Sequence, residues 1–110
     1  MGYTEKLSER QVALIQGSAF ILTEHLNLTK EEAIPIISES LKEELDASKV
    51  TFEFLEIGTI SYRQDFARKL VRRVEKKILS IRNISPDKMR HAIDLFVKML
   101  YESWMNLGKS

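Results

Sequence analysis

The chain has 110 residues, 44% hydrophobic and 30% charged, which fits one globular domain and excludes a disordered composition. It contains no Cys, so disulfides, thiolate nucleophiles and Cys-ligated zinc or iron–sulfur sites are excluded. The formal net charge of +1 hides an asymmetry: residues 1–60 hold 5 Lys and Arg against 11 Asp and Glu, a net of −6, whereas residues 61–110 hold 12 against 5, a net of +7.

Such a split points to polyanion binding, to docking on an acidic partner, or to head-to-tail self-assembly. No apolar run approaches the roughly 18–20 residues of a membrane span, and Met1 to Arg10 carries no signal-peptide apolar region. A soluble, unexported, cytoplasmic protein without membrane contact is the expectation. Few Asn and Gln beside many Ile, Lys, Arg and Glu lean toward a heat-adapted source.

Ser8 followed by Glu9 marks a helix start, and Val12, Ile15, Ala19, Leu22 and Leu26 recur at helical spacing, predicting a first helix over 9–26. Leu14 and Ile21 fall on its other side, with Ala13 and Phe20 on a flank. A helix apolar nearly all round is either central in the fold or covered by a partner. Thr29 to Glu32 fits a T-x-x-E capping box that opens a second helix reaching about Asp46. Its inward stripe is read as Ile34, Ile37, Leu41 and Leu45, with Glu39, Glu43, Glu44 and Asp46 outside and Pro35 bending its second turn.

From Lys49 to Tyr62 the pattern changes. Val50, Phe52 and Phe54 alternate with Thr51 and Glu53, which predicts a short β-hairpin about Glu56 to Gly58; Val50, Phe54 and Ile57 also fit a helical connector. Ser61 to Gln64 reads as a second capping box, followed by Phe66, Leu70, Val74, Ile78 and Ile81 in a third helix ending near Asn83. Ser85, Pro86 and Asp87 open a fourth helix, with Met89, Ala92, Ile93, Phe96, Val97, Leu100 and Trp104 as its core stripe and Gly108 as its stop. The predicted fold is mainly α: a four-helix, bundle-like single domain over 1–110 with a short extended or β-hairpin insert at about 49–61.

The third helix carries the chemistry. Arg63, Arg68, Lys69, Arg72, Arg73, Lys76, Lys77 and Arg82 stand on it or at its end against only Asp65 and Glu75, and most occupy the arc opposite the apolar stripe. A solvated face usually interleaves acids with bases, and here the acids are missing. Arg outnumbers Lys, which suits planar phosphate recognition. These eight residues are the candidate nucleic-acid contacts, with Tyr62 as a possible base-stacking or packing group. No zinc finger, RNA-recognition signature or glycine-rich phosphate loop is present, so sequence-specific reading is not expected.

Catalysis is not expected. His25 and His91 stand in no metal-ligand or triad spacing, and the Glu-rich second helix reads as solvated surface, so neither metal nor cofactor is anticipated. Leu14, Phe20, Ile21, Tyr101 and Met105 are candidate protein-interface residues, because surplus apolar surface in a small chain favours a subunit of an oligomer or complex. A long basic helix followed by another helix resembles small helical subunits of replication or RNA-guided complexes, and no motif carries individual residues across. The expected function is a non-catalytic accessory subunit that binds DNA or RNA through phosphate contacts and docks protein. The alternative is a protein-interaction or oligomerisation module whose basic ridge meets an acidic surface, such as the second helix of another copy.

Overall fold

The computed structural model of the chain describes residues 9–105, the side chain of Met105 excepted. Ser8 and Gly108, read above as start and stop signals, lie outside the described residues. Five helices follow one another: α1 (Glu9–Leu26), α2 (Lys30–Ser48), α3 (Phe52–Ile57), α4 (Ile60–Ile81) and α5 (Pro86–Met105).

Several boundaries have a local cause. Asn27 adopts a left-handed backbone with φ 58°, which asparagine tolerates, and ends α1. Thr29 forms the expected capping box: its Oγ1 accepts from the Glu32 N–H at 3.1 Å, and Glu32 Oε1 accepts from the Thr29 N–H at 3.1 Å. At the other end of α2, left-handed Lys49 donates to Asp46 O, while the Val50 N–H reaches back to Leu45 O, a Schellman closure. Ser85 caps α5, accepting from the Lys88 N–H at 3.3 Å.

Two expectations about the elements themselves are corrected. The predicted β-hairpin is a helix, and no strand occurs among the described residues. Thr51 accepts from the Phe54 N–H and starts a turn in which Phe52 and Leu55, one turn apart, are buried while Phe54 and Ile57 face out. An isolated hairpin would have lacked a third strand, whereas α3 can lay one apolar pair on the bundle. The cap of α4 is Thr59, whose Oγ1 accepts from the Tyr62 N–H at 3.1 Å, so Ser61 lies inside the helix and is exposed.

The four long helices form an antiparallel bundle. α1 packs on α2 and α5, and α4 packs on the same two, so α1 and α4 take opposite corners. The side chains of Arg82 and Glu32 meet at one end of the α2–α4 pair, those of Arg73 and Glu44 farther along it. In the α1–α5 pair, His25 meets His91 and Ser18 meets Met99. α1 therefore occupies a corner, and it buries Leu14, Ile15, Ser18, Ala19, Leu22 and Leu26. Leu14, read as lying on an outer side, belongs to that buried face.

Phe66 and Trp104 meet edge-on at 6.0 Å in the core, and Phe96, Leu70, Val74 and Ile78 are also fully enclosed. Burial of each such side chain contributes about 1.5–3 kcal/mol. The buried face of α2 is Ala33, Ile36, Ile37, Ser40, Leu41 and Glu44, so Ile34 is exposed and Leu45 only half-buried. The helix is turned so that a carboxylate, Glu44, faces α4. Ile81, placed on the α4 stripe, is exposed at the helix end.

Candidate anion-binding face

The sequence makes α4 amphipathic, and its packed side, Phe66, Leu70, Val74 and Ile78, fixes where its cations point. The structure divides the eight candidate cations into three sets. Arg63 is buried: its Nη1 donates to the Glu56 carbonyl at 2.9 Å, fastening the first turn of α4 to α3, and its Nε has no partner among the described residues. It is thereby turned away from the ridge.

The second set faces α2. Arg73 Nε donates to Glu44 Oε1 at 2.7 Å, with a longer contact of 3.5 Å to Glu43. Lys77 reaches Glu43 at 3.1 Å, and Arg82 reaches Glu32 at 2.7 Å. Glu44 also accepts from the Ser48 hydroxyl at 3.0 Å. The hydrogen bond from Arg73 to Glu44, aided by the charges of Glu44 and Glu43, pushes the Arg73 pKa further up against the opposing effect of burial. Glu32 is held below its ordinary value first by the Thr29 backbone N–H it accepts, then by the charge of Arg82.

Arg68, Lys69, Arg72 and Lys76 form the third set, and all four are exposed. Asp65 lies 3.9 Å from Arg68 and 3.3 Å from Lys69. Arg72 and Lys76 make no ion pair among the described residues. They stand one helical turn apart, about 6 Å along the axis. Beside them runs a groove of about 610 Å³ between α4 and the C-terminal half of α2.

Sequence reasoning assigned Glu44 to the outer surface and missed its role. The signal was present in its position: Glu44 follows Ile37, Ser40 and Leu41 at spacings of seven, four and three, which puts it on the buried arc. The acidic surface that the alternative reading sought on another copy is partly supplied by α2 of the same chain.

The candidate interface residues scatter. Leu14 is buried, Ile21 is half-buried, and Tyr101 is half-buried against the core. Phe20 is 62% exposed and, with Ile34, lines a cleft of about 280 Å³ between α1 and α2. The Met105 side chain lies outside the described residues. A group the sequence reading passed over is exposed together: Phe54, Ile57 and Ile60 are 53%, 79% and 46% accessible around the α3–α4 junction. Tyr62 is half-buried and packed on the core.

His25 and His91 meet edge-on with ring centroids 5.2 Å apart, joining the end of α1 to α5. Among the described residues, no three or more His, Asp and Glu gather where they could hold a metal ion, and no helix is long and apolar enough to cross a membrane. The chain matches no protein-family model, and it has no significant match among curated proteins or solved structures.

Proposed function

We propose that the protein is a non-catalytic accessory subunit that holds nucleic acid through phosphate contacts from the outer side of α4 and docks protein through exposed apolar side chains. The observation that carries this reading is the row of Arg68, Lys69, Arg72 and Lys76, exposed together with Asp65 as the sole acid among the described residues pairing with any of them. Cations crowded on one helix face repel one another, and a bound polyanion relieves that repulsion. Contacts to phosphate position a backbone without reading sequence, so binding is sequence-independent. The lack of Cys fits a cytoplasmic place of action.

The test is fluorescence anisotropy of labelled single- and double-stranded DNA and RNA at low and at physiological salt. With three to four cations engaged, the logarithm of the binding constant falls against log salt with a slope of about −3 for a duplex and about −2 to −3 for a single strand, where all eight would give about −7 and about −6. Replacing Arg68, Arg72 and Lys76 together by Glu abolishes binding and leaves helicity unchanged. No binding at low salt discards the reading.

A second reading, a protein-interaction or oligomerisation module without nucleic acid, is favoured by the exposed Phe54, Ile57 and Ile60. Under it, Ile57→Asp shifts the sedimentation of a self-associating protein to a smaller species, and oligonucleotides do not bind.

A further inference from the structure

We infer that the groove between α2 and α4 seats the phosphodiester backbone of a single strand and leaves its bases in solvent. The inference rests on the nucleic-acid reading above, and adds to it the kind of strand and the place where it lies.

The lining of the groove carries the argument. α4 contributes five cations between Lys69 and Lys77, and α2 contributes Glu43, Glu44, Ala47 and Ser48. The two carboxylates are engaged on Arg73 and Lys77, at 2.7 and 3.1 Å. They fix those two cations along the α2 side and leave Arg72 and Lys76 unpaired along the other. Three of the four exposed α4 cations, Lys69, Arg72 and Lys76, thus belong to the groove as well as to the outer face. Arg68 does not line it.

Shape and chemistry then restrict the ligand. A volume of about 610 Å³ falls within the range of about 300–1,000 Å³ typical of small-ligand clefts, room for one backbone with its sugars and not for both strands of a duplex. Single-strand binders that hold bases do so on aromatic side chains. This groove contains none, and its one apolar lining residue is Ala47. A base entering it would find no stacking platform, so recognition falls on the phosphates alone, through charge-assisted hydrogen bonds from Arg and Lys.

The experiment titrates three labelled ligands of equal length: oligo-dT, its abasic phosphodeoxyribose counterpart, and a DNA duplex. The proteins are the wild type, Ala47→Glu, Ala47→Lys and Arg68→Glu. Ala47 is exposed near the end of α2, so both substitutions alter the groove without entering the core, and thermal melts by circular dichroism verify the fold. The expected result is equal binding of oligo-dT and the abasic strand, within about twofold, and duplex binding weaker by about tenfold or more. Ala47→Glu weakens oligo-dT by about tenfold or more while Ala47→Lys does not, and Arg68→Glu costs only the single phosphate contact at its edge.

Three outcomes overturn the inference and leave the nucleic-acid reading standing: a duplex that binds as tightly as the single strand, an abasic strand that binds much more weakly than oligo-dT, or an Ala47→Glu variant of undiminished affinity beside an impaired Arg68→Glu. Failure of every ligand to bind at low salt overturns both.

Discussion

The α1–α5 seam and the α2–α4 seam both join long antiparallel helices, yet they are held by different physics. Between α1 and α5 the backbone of Gly17 lies close to Met99, Ser18 turns its hydroxyl back onto Leu14 O at 2.7 Å, and no ion pair joins the two helices among the described residues. Between α2 and α4 four ion pairs run from Arg82 and Glu32 to Arg73 and Glu44. The opposite charges of the two halves of the sequence are therefore partly an internal matter. They meet along one seam of the bundle, and Arg68, Lys69, Arg72 and Lys76 are left on the outer side of α4.

The largest expected effect tests the apolar side of this contrast. Leu22 of α1 is fully enclosed, and Leu22→Ala removes buried methyl groups where neighbours on two helices relax only in part. The expected loss is about 2–5 kcal/mol in urea unfolding. A loss below about 1 kcal/mol would mean that α1 is not bound to the bundle by its apolar face.

The ionic seam gives a smaller and asymmetric response. The Glu44 side chain is 5% exposed and that of Arg73 is 36% exposed. Arg73→Ala leaves a buried carboxylate with Ser48 as its one remaining partner among the described residues, whereas Glu44→Gln leaves a guanidinium that still reaches water and Glu43. Breaking a fully buried pair costs about 3–5 kcal/mol, and the half-exposed arginine reduces that to about 1–3 kcal/mol for Arg73→Ala. Glu44→Gln is expected to cost under about 1 kcal/mol. Equal losses from the two variants in parallel urea titrations would contradict the burial difference between the partners.

The two seams also differ in how far they could be read from the sequence. α1 was legible to its C-terminal end, because its apolar residues recur at helical spacing. The Thr29 capping box and the Ser85–Pro86 start were legible because capping depends on a few adjacent atoms. The α2 stripe was misplaced by about one position: Ile34 and Leu45 are larger and more apolar than Ala33 and Ser40, and a reading by hydrophobicity follows size where the helix follows packing. α3 was misread because three apolar residues at alternate positions satisfy a strand pattern, while the contact that decides, Phe52 and Leu55 on the bundle, is tertiary.

The candidate site was legible as a charge excess on one helix. Its division was not, because that depends on α2 lying antiparallel beside α4 and on Glu44 being turned inward. Periodicity placed Arg73 and Lys77 on the same helix as Arg72 and Lys76, and only the partner helix tells the two pairs apart. Arg63 was lost from the ridge for a similar reason: its guanidinium serves a carbonyl of α3, a helix the sequence reading had taken for a strand.

The smallest expected effect probes the closest approach in the α1–α5 seam. A Cβ at Gly17 would lie 3.2 Å from Met99 Sδ, tight enough that the sulfur must move by a few tenths of an ångström. Met99 is half-buried and unbranched, so its thioether can yield. Its one polar contact, 4.0 Å from Ser18 Oγ, is weak, and that hydroxyl is already bonded to Leu14 O. Alanine gains about 0.8–1 kcal/mol over glycine in a helix interior. Gly17→Ala is therefore expected to be neutral to stabilising, by up to about 0.5 kcal/mol after the sulfur shifts. Gly17→Val adds branched bulk that Met99 cannot evade and should cost about 1–3 kcal/mol. If Gly17→Ala also destabilises by more than about 1 kcal/mol in the same melts, Met99 is held in place by its surroundings, and the seam tolerates no side chain at position 17.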